Sequence, residues 1–299
     1  MIVLGGGPIG VELGQAFARL GSRVTIIEAD KLLNREDPEA ADVIAQQLVA
    51  DGVSLLVGAK AVRVENGPVV VVETAAGEQT VLGSHLLIAV GRRPSIAGLN
   101  LEAGGVASDR NGVVTDRSLR TSNRRVFAVG DVAGRGQFTH LAGAHASLFV
   151  RKALFGMPIN ADALIVPRVT YCDPELASVG LSEAEARSRH GQSIKVVTLP
   201  NADSDRARAE GDTRGFSRLI TTAGGRILGA TLVGSHAGEQ IQFWVQTLTA
   251  KLRLSALTGM IAPYPTRSEM NKRLAGQWYA PTLFSATTRR LVSFLKHIS

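Results

Sequence analysis

The residues best suited to chemistry stand at the very start of the chain. Gly5-Gly6-Gly7-Pro8-Ile9-Gly10 satisfies the spacing G-x-G-x-x-G and follows directly on the apolar run Met1-Ile2-Val3-Leu4. In that spacing Gly5 permits a tight turn, Gly7 lets the backbone approach a pyrophosphate, and Gly10 allows a helix to pack closely on a strand. Glu28 lies 18 residues after Gly10. A carboxylate at that distance can accept hydrogen bonds from the adenosine ribose hydroxyls and repels a 2′-phosphate, so NAD is favoured over NADP. The fingerprint alone does not separate NAD from FAD, because both use it.

A second candidate is Asp131, placed by the sequence Val126-Phe127-Ala128-Val129-Gly130-Asp131. The run 126–129 reads as a strand that Gly130 breaks, which would present Asp131 at a strand's C-terminal end, where open α/β sheets bind ligands. The one cysteine, Cys172, reads as a small hydrophobe, since a single thiol cannot form an internal redox pair. His140 and His145 fall on one helical stretch with no further His or Cys ligand set around them, so packing or cofactor contact outranks a metal site and none is expected.

These groups must be carried by regular elements. Residues 11–20 read as a helix stopped by Gly21, 23–27 as a second strand and 36–50 as a helix with acids in its first turn. Short strands are expected at 53–57, 59–65, 69–74 and 79–82, and a buried strand returns at 85–90. This makes 1–92 an α/β Rossmann-type NAD-binding domain. A second segment, 93–165, contains the Asp131 stretch and a helix at 141–155. From 166 to 299 the pattern changes to strands at 168–171, 176–181, 194–199, 216–222 and 226–233 with helices at 183–190 and 237–250. That is an α+β domain with an antiparallel sheet. The stretch 287–298 reads as an amphipathic helix lying on the protein's own surface.

Composition sets limits. No apolar run approaches the roughly 18 residues that span a bilayer, and no secretory signal is seen, so no membrane partner is expected and a cytoplasmic setting is. The net charge of +7 is scattered, and aromatic residues make up only 5%, so no platform for nucleic acid is expected.

Five ordered blocks resemble the pyridine nucleotide-disulfide oxidoreductases, the flavoenzyme family of dihydrolipoamide dehydrogenase and mercuric reductase. They are GGGPIGVELG (5–14), LLIAVGRRP (86–94), TSNRRVFAVGDVAG (121–134), VTYCDPELASVGLSEAEA (169–186) and PYPTRSE (263–269). The resemblance implies that Gly5, Gly7, Gly10 and Glu28 hold NAD(H), with Gly91 near the adenosine and Glu12 close to the nicotinamide. It implies that Gly130 and Asp131 meet the ribityl chain of FAD and that Gln137, Phe138, Thr139 and His140 lie along the flavin ring. Residues 93–165 then belong to an FAD-binding region and 166–299 to a dimerisation domain, giving a homodimer. Family members carry an earlier FAD domain with its own G-x-G-x-x-G and a redox disulfide, so the chain is read as the C-terminal two-thirds of such an enzyme.

Two positions depart from the thiol reductases of that family. Tyr264 stands where they carry a His five residues before Glu269. A phenol with a pKa of about 10 is a poor general base at neutral pH, which disfavours thiol–disulfide exchange. A tyrosine there resembles mercuric reductase, yet that enzyme's C-terminal cysteine pair has no counterpart. Pro8 replaces an aromatic gate of the nicotinamide pocket. The expected function is FAD-dependent oxidation of NADH with onward transfer to a small-molecule electron acceptor. The alternative is a non-catalytic nucleotide-binding and dimerisation module.

Overall fold

A computed structural model describes residues 1–297, which fall into two compact units, one of 1–90 with the residues from Pro167 onward and one of 91–166. In the first unit β1 (Ile2–Leu4), α1 (Pro8–Arg19), β2 (Thr25–Glu28), α2 (Pro38–Ala50) and β3 (Ser54–Val57) alternate along the chain. A meander of β4 (Lys60–Glu65), β5 (Val69–Thr74) and β6 (Gly77–Leu82) follows, and β7 (Leu86–Ile88) returns to the first sheet. That sheet is parallel, in the order β3-β2-β1-β7, with Val3 opposite Ile26 and Leu87. Its centre is wholly apolar because both faces are covered: Ile2, Val3 and Ile26 have almost no exposure. Each helix has a local reason to start where it does. Pro8 and Pro38 occupy first-turn positions that need no N–H, and the Asp37 carboxylate accepts from the amides of Glu39 and Ala40.

The rest of this unit is built on β10 (Arg168–Thr170), β11 (Glu175–Gly180), α4 (Glu183–His190), β12 (Ile194–Pro200), α5 (Asp205–Ala209), β13 (Phe216–Thr222) and β14 (Ile227–Gly234). The five strands form one antiparallel sheet in the order β10-β11-β14-β13-β12. Helix α6 (Ala237–Thr249) packs on β11 and β14, whereas α8 (Glu269–Leu283) packs on β12 and β13. The short α7 (Leu254–Thr258) lies against α8. The α8 helix was not expected from sequence, although Met270, Leu274 and Trp278 are its buried stripe at i, i+4, i+8. Pro281 follows that stripe inside the helix. The terminal helix α9 (Ala286–Leu295) forms as expected but buries none of its residues, so its apolar face does not lie on the protein's own surface. Ile298, the last residue of the expected helix, lies outside the described residues.

The unit 91–166 holds a two-stranded ribbon, β8 (Ser108–Asp109) with β9 (Gly112–Val113), a short 3₁₀ turn over Gly130–Ala133, and the long helix α3 (Thr139–Phe155). The expected strand 126–129 is not a strand among the described residues. Phe127 makes one isolated antiparallel bridge to Arg120, with Ala128 N donating to Leu119 O, while Val126 N closes a turn on Asn123 O. An apolar run becomes a strand only where a neighbouring strand takes its backbone groups, and here the loop 119–123 takes them.

A polar seam ties the parallel-sheet part to the antiparallel sheet within the first unit. Arg218 on β13 is buried and reaches the N-cap Asp37 of α2 at 2.6 Å, and it also pairs with Glu39. Arg168 pairs with Glu36 at 3.0 Å, and Ser178 donates to the same carboxylate at 2.8 Å. Gln15 of α1 exchanges two hydrogen bonds with the backbone of Asp173, whose carboxylate also meets Arg19 and Arg214. Removing one member of a buried pair strands the other charge at a cost of about 3 to 5 kcal/mol. Asp37→Ala leaves Arg218 with the exposed Glu39 as its carboxylate partner and removes the α2 cap, so it is expected to lower unfolding free energy by about that order, measured by urea denaturation. Asp51→Ala, which removes the 2.9 Å pair with the more exposed Arg19 of α1, should cost less, about 1 kcal/mol.

Candidate functional site

The glycine turn between β1 and α1 is shaped by contacts that exclude side chains at two of its positions and leave the third open. Gly5 has φ +105°, and a Cβ there would stand 2.5 Å from the carbonyl oxygen of Ala89. A Cβ on Gly10 would stand 1.9 Å from the Gly5 oxygen, so only glycine lets the helix rest on the turn. Gly7 meets nothing within 4 Å. Its side of the loop is free for a ligand to come against the backbone. No side chain caps α1 and no acid lies in its first turn, so its leading N–H groups and the positive end of its dipole are available to an anion. The arrangement fits a pyrophosphate.

Glu28 closes β2 directly beside this turn. Its Oε2 accepts from Gly6 N at 2.6 Å and its Oε1 from Asp30 N at 2.9 Å. Each carboxylate oxygen retains a second lone pair, so a ribose hydroxyl can still donate to it. Glu12 ties α1 to the residue after β10, its Oε1 accepting from Tyr171 N at 2.9 Å.

In the second unit Gly91 adopts φ +130°, and Arg92 donates to the carbonyl of Gln137 at 2.8 Å. Phe138 and His140 stack, with ring centroids 5.2 Å apart. Phe138 precedes α3, whose N-terminus at Thr139 has no side-chain cap. Asp131 is exposed on the short 3₁₀ turn, and its neighbour Gly130 is buried at φ +73°. Gly130 N donates to Nδ1 of His145 at 3.2 Å, and the other ring nitrogen, Nε2, is buried without a partner among the described residues. Burial, and secondarily the charge of Arg135, holds the His145 imidazole below its usual range, so the ring is neutral at pH 7. A helix start without a side-chain cap, an exposed carboxylate and an orphaned buried donor are features suited to a polar cofactor edge.

Two residues of this unit escaped the sequence reading. Arg135 donates to the carbonyls of Thr115 and Asp116 and pairs with Asp162, which fixes the loop that follows Asp131. Arg92 holds Gln137. An arginine that binds distant carbonyls leaves no periodicity in a single sequence, so no signal marks either one.

Tyr264 and Glu269 do not form a hydrogen-bonded pair. The Tyr264 hydroxyl donates to Asp205 at 3.1 Å, and that carboxylate pushes the phenol above its ordinary range. Tyr264 thus stays protonated at neutral pH and is no general base. Glu269 instead opens α8 as its first residue. Cys172 is buried and its thiol, desolvated there, is pushed up to about 12. It donates to the Pro174 carbonyl at 3.1 Å and supplies no thiolate.

Against known proteins, residues 1–146 match the pyridine nucleotide-disulphide oxidoreductase model and residues 166–275 the dimerisation domain of the same family. The chain belongs to the pyridine nucleotide-disulphide oxidoreductases. It is 38% identical over 284 residues to mercuric reductase of Streptomyces lividans, covering 93% of this chain and 60% of that protein. It is 32% identical over 282 residues to dihydrolipoyl dehydrogenase 3 of Pseudomonas putida, covering 92% and 60%. The HOCl-induced flavoprotein disulfide reductase RclA from Escherichia coli superposes with a TM-score of 0.82 at 37% identity, covering 92% of this chain and 64% of that one. The chain spans about 60% of the length of the first of these relatives. Members of the family bind FAD and NAD(P).

The neutral, buried His145 has a measurable consequence. The unfolded chain protonates this imidazole near pH 6.5, while the folded chain resists doing so. Its contribution is fully present above that pH and is lost as pH falls through the acid range. Thermal melts should therefore show stability declining from pH 7 to about pH 5.5, and His145→Asn should flatten that decline.

Proposed function

We propose that this chain carries the NADH-binding site and part of the flavin site of an FAD-dependent NAD(P)H oxidoreductase. The observation that carries the reading is the turn at Gly5–Gly10, closed to side chains at Gly5 and Gly10 and open at Gly7, with the Glu28 carboxylate beside it. On this reading Gly7 and the first turn of the Rossmann-type helix α1 bind the pyrophosphate, and Glu28 accepts from the adenosine ribose. Gly91 lies near the adenosine and Glu12 on the nicotinamide side. Gly130 and Asp131 hold the ribityl chain of FAD, while Gln137, Phe138, Thr139 and His140 line the flavin. When bound, FAD supplies a two-electron acceptor for the hydride and a route to one further acceptor.

This chain's own residues bind and orient; they provide neither a thiolate nor a neutral-pH base at the family's usual positions. Cys172 is buried and Tyr264 is held protonated by Asp205. The electron acceptor is therefore a small molecule that needs no thiol exchange with this chain. Residues 166–299 form the dimerisation domain of a homodimer, and light scattering should give about twice the 31.5 kDa chain mass.

The alternative, a nucleotide-binding and dimerisation module without catalysis, is favoured by the buried Cys172 thiol and by the Tyr264 hydroxyl being committed to Asp205. Visible flavin absorption of the purified protein, with NADH-dependent dye reduction, separates the two. Protein without flavin that still binds NADH would be the module.

Three substitutions test the nucleotide site. NADH should bind at least about tenfold tighter than NADPH, a preference on the order of 1.4 kcal/mol, and Glu28→Arg should narrow or invert it. Equal affinities in the native chain would remove Glu28 from the site. Gly7→Ala should leave the melting temperature unchanged while weakening NADH on the order of tenfold, because the new methyl meets only the ligand. Gly10→Ala should instead destabilise the fold, since its methyl meets the Gly5 carbonyl.

A further inference from the structure

Helix α9 is the one sequence motif that the nucleotide chemistry does not absorb, and it lies beyond residues 166–275 matched by the family's dimerisation domain. Its position is not that of a frayed tail. Ser285 caps it by accepting from Thr288 N at 3.2 Å, and the Thr288 hydroxyl donates back to Thr282 O at 2.7 Å. The helix is thus anchored to the end of α8.

Along α9, Leu291, Phe294 and Leu295 follow the i, i+3, i+4 spacing that places them on one face, with Val292 at its edge. All four are about half exposed or more, and Leu283 and Phe284 just before the helix are exposed at 57% and 70%. By the same helical geometry Ser293 falls opposite this face, with Arg290 on one flank and Arg289 and Lys296 on the other. These three cations make no ion pair among the described residues. From 270 to 299 the sequence has no acidic residue at all and five Lys or Arg.

An occupant of this face must therefore be apolar beneath the helix and anionic along its borders. A second copy of the same helix answers only the first requirement, because it would bring cations against cations with no carboxylate to pair them. We propose that α9, with Leu283 and Phe284, docks flat on an anionic lipid surface. The apolar face enters the acyl boundary, and Arg289, Arg290 and Lys296 reach the headgroup phosphates. The interaction is with the surface, since no helix among the described residues is long and apolar enough to cross a membrane.

The test is co-sedimentation of the full chain with vesicles of phosphatidylcholine mixed with phosphatidylglycerol, against phosphatidylcholine alone. Preferential binding to the anionic vesicles that weakens with added salt is expected. Leu291→Ser with Phe294→Ser, and separately Arg289→Glu with Arg290→Glu, should each reduce the bound fraction by about tenfold. Both pairs are exposed, so the melting temperature should hold; if the serine pair misfolds, the glutamate pair decides. Absence of binding to anionic vesicles, equal binding to both vesicle types, or variants that bind like the native chain would overturn the proposal. A serine variant that turns a dimer into a monomer would also overturn it, by assigning the face to a second copy.

Discussion

Arg218 and Asp37 are two opposite charges withdrawn from water, and that pair constrains everything around it. A guanidinium on a central strand of an antiparallel sheet is tolerable only if a carboxylate meets it. The carboxylate that does so already caps α2, and α2 packs against the parallel sheet that carries the glycine turn. One contact therefore sets the depth and angle at which residues 1–90 sit on 167–299. The Gln15–Asp173 exchange and the arginines around it extend the same seam along α1. Bonds of this kind specify an arrangement more than they stabilise it, because each charge gave up water to form them.

The glycine turn benefits from that restraint. Helix α1 is held from behind by Glu12, Gln15 and Arg19, and from the front Gly10 rests on the Gly5 carbonyl. A helix pinned on both sides cannot retreat from the turn. Its N–H groups and the open side of Gly7 are thereby kept in a fixed relation to Glu28. Preorganisation of this sort lowers the ordering cost that a bound nucleotide would otherwise meet.

Residues 91–166 are ordered differently. They have little sheet, and they rely on polar ties from side chain to backbone: His145 to Gly130, Arg135 to Thr115 and Asp116, and Arg92 to Gln137. Each tie fixes a loop next to a residue with a proposed cofactor role. The chemistry of the chain has a matching asymmetry. Groups suited to holding nucleotides are well formed, whereas the thiol is buried and the tyrosine hydroxyl is committed to Asp205.

Local sequence determined much of this protein. Apolar runs and punctuating glycines located β1, β2, β5, β13 and β14 within a residue or two, because burial on both faces leaves a continuous apolar signature. The glycine turn and Glu28 were legible for a related reason: close approach admits only glycine, and the strand length fixes where the acid falls. The same reasoning failed at 126–129, where the residues favour a strand but the neighbouring loop takes their hydrogen bonds. It also missed α8, whose large apolar stripe is only Met270, Leu274 and Trp278, with Pro281 following it inside the helix. Tertiary structure alone decided which charges meet. Arg218 finds Asp37 across 181 positions, Tyr264 turns to Asp205 rather than Glu269, and Glu12 accepts from Tyr171 N. Tertiary structure also left α9 without cover, although its sequence is as amphipathic as that of a packed helix. Spacing encodes which face of an element is apolar, but only the folded chain determines what that face or charge will touch.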